Sequence, residues 1–150
     1  MTTLPDILRG FRPAGEELLR ITQCVTEPYA AVDPRHLDVQ VAAGGAARLV
    51  VLHTSPELSA LRCTLGEGAR LELTELFTAE AFAEVAVVQA ARSDCRITTV
   101  QLASANAAYR IDLNGRGAEN TLGGVFLAAD EEHCVVRLHT AHNVSDCRSA

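Results

Sequence analysis

The chain has 150 residues, of which 48% are hydrophobic but only 4% aromatic, and it contains no tryptophan. This length is enough for one ordinary domain with a buried core, which Ala, Val, Leu and Ile must fill. The formal net charge of −6 and the lack of a basic run exclude a nucleic-acid-binding protein, because such proteins need a cationic surface.

No stretch of the sequence approaches the roughly 20 apolar residues of a membrane-spanning helix. The N-terminus lacks a basic segment followed by an apolar one, so no signal peptide is predicted and we expect a cytoplasmic protein. The five cysteines are odd in number and widely spaced, unlike those of a disulfide framework or a CxxC zinc or redox site. In a reducing cytosol we expect all of them to be thiols. They are Cys24, Cys63, Cys95, Cys134 and Cys147.

The first segment, residues 1–36, is predicted to be a short helical region followed by a loop. Leu18, Ile21 and Val25 recur at steps of three and four, which is the helical period, across residues 1–27. Pro28 and Pro34 then bracket the predicted loop.

From about residue 37 the apolar period changes to two, which predicts β-strands with one buried and one solvated face. The clearest alternating sets are Leu37, Val39 and Val41; Leu61, Cys63 and Leu65; Leu71 and Leu73; Tyr109, Ile111 and Leu113; and Cys134, Val136 and Leu138. Cys63, Cys95 and Cys134 are in phase with aliphatic residues, so we expect them to fill the core as small hydrophobic side chains.

Short polar turns join the strands, and strand–turn–strand units recur about every 23 to 24 residues. Units of that size cannot bury a face alone and must stack on their neighbours. Two all-β architectures fit: a right-handed parallel β-helix, and a sandwich or jelly roll. Small aliphatic residues suit the narrow interior of a β-helix, whereas a sandwich usually needs larger aromatic residues. We therefore predict an all-β, right-handed parallel β-helix over 37–150.

Four segments, in order, resemble the core of the SufB/SufD family of iron–sulfur cluster assembly proteins. They are 61–77 (LRCTLGEGARLELTELF), 109–119 (YRIDLNGRGAE), 120–128 (NTLGGVFLA) and 132–149 (EHCVVRLHTAHNVSDCRS). The family usually has D-N-H-T where this chain has Val135, Val136, Arg137 and Leu138, and Ser145 stands where proline is usual. Divergence of this kind favours similarity to SufD rather than to the more constrained SufB.

The resemblance implies a non-catalytic scaffold that works with SufB-like and SufC-like subunits in the SufBCD complex. SufC would supply ATP hydrolysis, since this chain has no GxxxxGK[ST] loop, and SufB the principal cluster thiolate. The sequence stops at Ala150 within the family's core, before its later coils and C-terminal helical domain. We therefore expect a fragment or truncated product that binds no cofactor by itself, with the iron–sulfur cluster held only in the assembled complex.

A group of histidines and cysteines near the C-terminus suggests a metal site, because imidazole and thiolate are common ligands. On an extended strand Cys134 shares a face with His142, whereas His133 and His139 project to the other side. His142 and Cys147, on either side of the turn at 143–146, remain as the candidate metal ligands. We favour a structural or surface role even for this pair.

Two other functions remain open. An enzyme would use Cys147 as nucleophile, His142 as base and Asp146 to orient the imidazole, but no further catalytic motif supports it and we expect no catalytic residues. The second is a structural β-helix that self-associates through exposed strand edges and has no role in cluster assembly.

Overall fold

The computed structural model describes residues 5–150, which form one 3-10 helix (Asp6–Leu8) and thirteen β-strands numbered here in chain order. The first seven strands are β1 (Arg12–Pro13), β2 (Leu18–Ile21), β3 (Tyr29–Val32), β4 (His36–Val41), β5 (Ala46–His53), β6 (Leu58–Leu65) and β7 (Arg70–Phe77). The others are β8 (Ala81–Gln89), β9 (Asp94–Gln101), β10 (Ala105–Leu113), β11 (Glu119–Phe126), β12 (Cys134–His142) and β13 (Arg148–Ser149). No helix in this described range is long and apolar enough to cross a membrane.

The strands form two parallel sheets, and successive strands alternate between them. Sheet A has the order β1-β3-β5-β7-β9-β11-β13, and sheet B has the order β12-β10-β8-β6-β4-β2. Each turn of the chain, called a coil here, therefore adds one strand to each sheet and stacks on the preceding coil. This arrangement is a parallel β-helix, which confirms the predicted all-β fold class.

The repeat length is 24 residues in the middle of the β-helix. On sheet B, Leu37 pairs with Leu61, Leu61 with Val85, and Val85 with Tyr109. Because the register is constant, side chains of the same phase stack on one another through the interior. The spacing grows to 29 residues at the last coil, where Ala105 pairs with Cys134.

Alternate residues of the central strands point into the interior between the two sheets. Strand β6 shows the pattern, since its odd-numbered residues from Ser59 to Leu65 are buried and most of the others are exposed or half-buried. The interior is built mainly from Ala, Val, Leu and Ile, as expected from the scarcity of aromatic residues. A second, smaller apolar cluster is formed by Leu8, Ala30 and Leu52, with Phe11 packed against it.

The predicted N-terminal helix is wrong: among residues 5–27 the structure has one 3-10 turn and strands β1 and β2. Leu19 and Ile21 are buried, and they pair with Val39 and Val41 of β4, whereas Leu18 is 48% exposed. The buried phase is thus that of a strand, because pairing with the next coil outweighs a weak helical spacing. Residues 1–4 of the predicted helix lie outside the described range.

The loop predicted between Pro28 and Pro34 is also wrong, since Tyr29–Val32 forms strand β3. Its residues pair with β5, Ala30 opposite Val50 and Ala31 opposite Val51. The two prolines lie just outside this strand. Their lack of an N–H group therefore removes no hydrogen bond from the pairing of β3.

In the five coils from β4 onward, one turn contains a residue in the left-handed region of the backbone, and these turns stack along the β-helix. The residues are Gly44 (φ 73°), Gly68 (φ 69°), Arg92 (φ 55°), Gly117 (φ 77°) and Asp146 (φ 61°). Hydrogen bonds connect one turn to the next, as from Gly44 N–H to the Glu67 carbonyl and from Gly68 N–H to the Ala91 carbonyl, both at 2.9 Å.

Gly68→Val is expected to lower the free energy of unfolding by about 1–3 kcal/mol, because a β-branched residue is strained at positive φ. Open space surrounds the position where a Cβ would lie, so backbone strain rather than collision causes the effect. Gly68→Asn is the control, since asparagine tolerates the left-handed region and should cost much less. Equal urea midpoints for Gly68→Val and the unmodified protein would show that the turn needs no special backbone.

Candidate functional site

The two candidate metal ligands lie on the last coil, and each contacts another protein group. His142 ends strand β12, and its Nε2 lies 2.9 Å from Ser149 Oγ. Cys147 directly precedes β13, and its thiol donates to the Gly115 carbonyl at 3.3 Å. A metal ion at either side chain would have to replace these contacts. The assignment of this pair as metal ligands therefore remains a prediction.

Cys134 and His139 lie on opposite faces of β12, as the strand alternation predicts, whereas His133 precedes the strand. Cys134 pairs with the buried Ala105, so it is on the interior side of sheet B. His139 pairs with the exposed Arg110, on the outer side. Within residues 5–150 no group of three or more His, Cys, Asp or Glu side chains is placed to hold a metal ion.

The three residues of the hypothetical nucleophilic site have different partners. The Asp146 carboxylate accepts two hydrogen bonds from Arg116, one from Nε at 3.1 Å and one from a terminal nitrogen of the guanidinium group at 2.6 Å. His142 contacts Ser149, and the Cys147 thiol points at a backbone carbonyl. In this geometry Asp146 pairs with a guanidinium group rather than orienting the imidazole.

Two of the three cysteines assigned to the core are fully enclosed. Cys63 and Cys95 have no solvent exposure. Burial raises the pKa of Cys63 well above its ordinary value and raises the pKa of Cys95 to about 12. Neither side chain forms the reactive thiolate near neutral pH.

The third, Cys134, is only half-buried, so its assignment to the closed core is wrong. The residue has the expected phase, but β12 is the last strand of sheet B within the described residues, and among them no further strand pairs with its outer edge. Its thiol lies 3.4 Å from the Ala103 carbonyl.

Thiol labelling of the native protein is expected to divide the cysteines into three groups. Cys24 is exposed and should react fastest, Cys134 and Cys147 are half-buried and should react more slowly, and Cys63 and Cys95 should resist. Mass spectrometry after timed alkylation would measure each rate, and alkylation in denaturant is the control. Modification of Cys63 or Cys95 as fast as Cys24 would contradict the placement of the core strands.

A buried polar network in the middle of the β-helix was not predicted. Glu75, on β7 of sheet A, is 1% exposed, and its Oε1 lies 3.2 Å from His53 Nε2. Its other oxygen accepts a hydrogen bond of 2.5 Å from the Tyr109 hydroxyl, which comes from β10 of sheet B. The His53 ring stacks on Phe77 with ring centres 4.2 Å apart. The Glu75 carboxyl group therefore connects the two sheets across the interior.

Burial and the nearby Glu75 carboxylate raise the pKa of Tyr109 well above its usual range. The phenol stays neutral and donates a hydrogen bond to Glu75, which satisfies one carboxylate oxygen while His53 faces the other. Buried polar groups must be paired in this way, because an unpaired one costs about 1–3 kcal/mol.

A sequence signal for this network did exist. Glu75 is in phase with Leu71 and Leu73, so the alternation of β7 already places it in the interior. Tyr109 and Ile111 share a phase in the same way. Neither pattern identifies the hydrogen-bond partner, because Glu75 and Tyr109 are 34 residues apart in the sequence and lie in different sheets.

A second buried polar cluster lies at the stacked turns. Gln89 Nε2 donates to the Glu119 carbonyl at 2.8 Å, and Asn120 Nδ2 donates to Gln89 Oε1 at 2.8 Å. Ser93 Oγ donates to the Ala90 carbonyl at 2.7 Å. The contacts of Gln89 connect one coil to the next, and that of Ser93 closes its own turn, so the cluster has a structural role.

Beyond this cluster the last two coils leave apolar side chains exposed. Val125, Phe126 and Leu127 are 58%, 50% and 63% exposed, and Leu138 on β12 is 50% exposed. Strand β11 pairs with β13 only at Glu119 and Asn120, so one edge of its second half has no strand partner within the described residues.

Comparison with known proteins identifies the chain at the level of its domain. No curated protein and no solved structure shows significant similarity to it. Residues 25–150 match the family model described as "SUF system FeS cluster assembly, SufBD core domain". This range includes β3 to β13 and therefore most of the β-helix. The chain belongs to the SufBD core family of the SUF iron–sulfur cluster assembly system.

Proposed function

We propose that this chain is a SufD-like, non-catalytic scaffold component of a SUF complex that assembles iron–sulfur clusters. The observation that supports the proposal most strongly is the family match over residues 25–150, on a chain that folds as a continuous parallel β-helix. In this proposal the cluster is the cargo of the complex rather than a resident cofactor of the chain.

The distribution of thiols supports a scaffold role. Iron–sulfur clusters generally take four ligands, most often cysteine thiolates. Here Cys63 and Cys95 are enclosed in the interior, and the thiols of Cys134 and Cys147 point at backbone carbonyls. His142 and Cys147 together would supply only two ligands. The principal thiolate is therefore assigned to a SufB-like partner.

The SufD-like assignment rests on departures from the family pattern in β12. Val135, Val136, Arg137 and Leu138 replace the usual polar D-N-H-T run. Three of these four residues are apolar, and none of the four provides a carboxylate or an imidazole. A strand of this composition suits a structural role better than a role in binding a cluster.

The proposed partners are a SufB-like subunit and a SufC-like ATPase in the cytoplasm. The chain has no GxxxxGK[ST] loop to cradle a nucleotide, so ATP hydrolysis is assigned to the SufC-like subunit. Co-expression of the tagged chain with both subunits, followed by size-exclusion chromatography, tests this assembly. A chain that elutes alone, with both partners folded and present, would contradict the proposal.

Self-association is a second candidate, favoured by exposed strand edges and apolar side chains in the last two coils. The side of β11 beyond Leu122, which carries Phe126, and the outer edge of β12, which carries Leu138, are edges that another chain could pair with. A stable homo-oligomer that excludes the SufB-like subunit in the same chromatography would support this alternative instead.

The chain alone is expected to hold no stable cluster after anaerobic reconstitution with iron and sulfide. The two candidate ligands, His142 and Cys147, each contact another protein group, Ser149 Oγ and the Gly115 carbonyl respectively. Iron and sulfide counts, with visible absorbance from thiolate-to-iron charge transfer, measure the result. A stoichiometric cluster that disappears in Cys147→Ala, but persists in Cys24→Ala, would overturn this expectation and make the segment a ligand-bearing site.

A further inference from the structure

The outer face of sheet B contains a groove of about 520 Å³ that the cluster-assembly role does not explain. Its outward residues lie in two rows that cross the strands. One row is His36, Ala60, Glu84, Ala108 and Arg137, and the other is Arg62, Ala86, Arg110 and His139. These two rows are called the sheet B groove below.

Three alanines form the floor of the sheet B groove. Ala60, Ala86 and Ala108 are half-buried and lie on three adjacent strands, β6, β8 and β10. Their short side chains leave a depression, while the longer side chains beside them form its walls. A ligand can therefore approach the sheet surface closely at this place.

The walls are rich in cationic side chains, although the whole chain has a net charge of −6. Arg62, Arg110 and Arg137 are exposed, and His139 lies beside Arg110 in the register. Arg110 Nε contacts Asp112 at 3.5 Å. Arg62 and Arg137 form no ion pair with any residue in the range 5–150. Two guanidinium groups are therefore available to a ligand.

The spacing of the cations favours an extended anion over a compact one. Arg62 on β6 and Arg110 on β10 are separated by Ala86 on β8, and neighbouring strands are about 4.8 Å apart. The distance across the sheet from Arg62 to His139 is thus about 14 Å. Glu84 lies among the cations and would repel a small, densely charged anion. Carboxylates spread along a peptide fit this pattern better.

An apolar pair borders the sheet B groove. Leu58 and Phe82 are register partners on the same outer face, and they are 52% and 41% exposed. Leu58 lies two residues before Ala60 on β6, and Phe82 lies two residues before Glu84 on β8. A ligand that crosses the groove meets cations on one side and a hydrophobic surface on the other.

We propose that the sheet B groove binds an acidic peptide segment of a partner protein, in which carboxylates alternate with apolar residues. The carboxylates pair with Arg62 and Arg137, for which guanidinium geometry is well suited. The apolar side chains pack on Leu58 and Phe82. The proposal rests on this surface alone and does not depend on the role of the chain in cluster assembly.

The test uses a fluorescein-labelled octapeptide in which glutamate alternates with leucine and glycine, and a matched peptide with glutamine in place of glutamate. Fluorescence anisotropy measures binding to the complete chain at low and high salt. We expect the glutamate peptide to bind at least about tenfold more tightly than the glutamine peptide, and to weaken as salt screens the charges. The double variant Arg62→Glu/Arg137→Glu should reduce its affinity by at least about tenfold.

The control is Arg70→Glu/Arg96→Glu, which makes the same charge change at exposed positions on the outer face of sheet A. This variant should bind the glutamate peptide with an affinity within about twofold of that of the unmodified chain, because these positions lie far from the groove. No binding, equal binding of both peptides, or equal losses in both double variants would overturn the proposal. Binding to phosphatidylserine vesicles that depends on Arg62 and Arg137, without peptide binding, would overturn it in favour of an anionic lipid surface.

Discussion

Glu75→Ala is expected to lower the free energy of unfolding by about 3–5 kcal/mol, which is large for the substitution of a single polar side chain. The substitution removes the group that pairs with both His53 and Tyr109, and it leaves two buried polar side chains without a partner. It also empties volume in a tightly packed interior, which adds a cavity cost.

Glu72→Ala is the matched control, because Glu72 is on the same strand but on its exposed face. Its effect should stay within about 0.5 kcal/mol. Tyr109→Phe removes one hydrogen bond and should cost about 1–2 kcal/mol. Urea denaturation followed by circular dichroism gives all three values, and equal midpoints for Glu75→Ala and Glu72→Ala would show that the network does not connect the sheets.

Gly115→Ala is expected to destabilise the protein by about 3 kcal/mol or more, which is large for the addition of one methyl group. A Cβ at Gly115 would overlap the backbone of Ala91 in the turn of the preceding coil. Backbone atoms cannot move aside as a flexible side chain can, so the stacked turns must separate. The hydrogen bond from Cys147 to the Gly115 carbonyl would be disturbed as well.

Gly123→Ala tests whether this effect is specific to the stacked turns. No atom lies within 4 Å of the position of an added Cβ at Gly123. Because alanine also restricts the unfolded chain, this control should be neutral or slightly stabilising. Similar thermal midpoints for the two variants would contradict the close approach of the turns.

The β-helix could be predicted from the sequence because its regularity is local. Apolar alternation identifies each central strand, as in Leu61, Cys63 and Leu65, and the constant repeat length indicates stacking. The same reasoning failed for residues 18–32. There the strands are short, and the apolar residues fit a helical spacing until pairing with β4 and β5 is known.

The interior polar network was harder to predict because its partners are distant in sequence. Alternation places Glu75 and Tyr109 inside, but only the stacking of coils brings the two side chains within hydrogen-bond distance. The burial of Cys134 could not be predicted for a different reason. Its phase was correct, yet burial depends on whether another coil covers the strand, which the local pattern does not contain.

The sheet B groove depends on the same stacking. Arg62 and Arg110 are 48 residues apart in the sequence, Arg110 and Arg137 are 27 apart, and no basic run marks them. The parallel register places them on one face. A protein with a net charge of −6 can thus present a local cationic surface.

Cluster delivery by the assembled complex is the most direct test of the proposed scaffold role. SufB-like and SufC-like subunits would be purified with and without this chain, loaded anaerobically with iron and sulfide, and mixed with an acceptor protein that lacks its cluster. We expect the chain to increase both the iron retained by the complex and the rate of transfer to the acceptor. Equal retention and equal transfer rates in its absence would contradict the account.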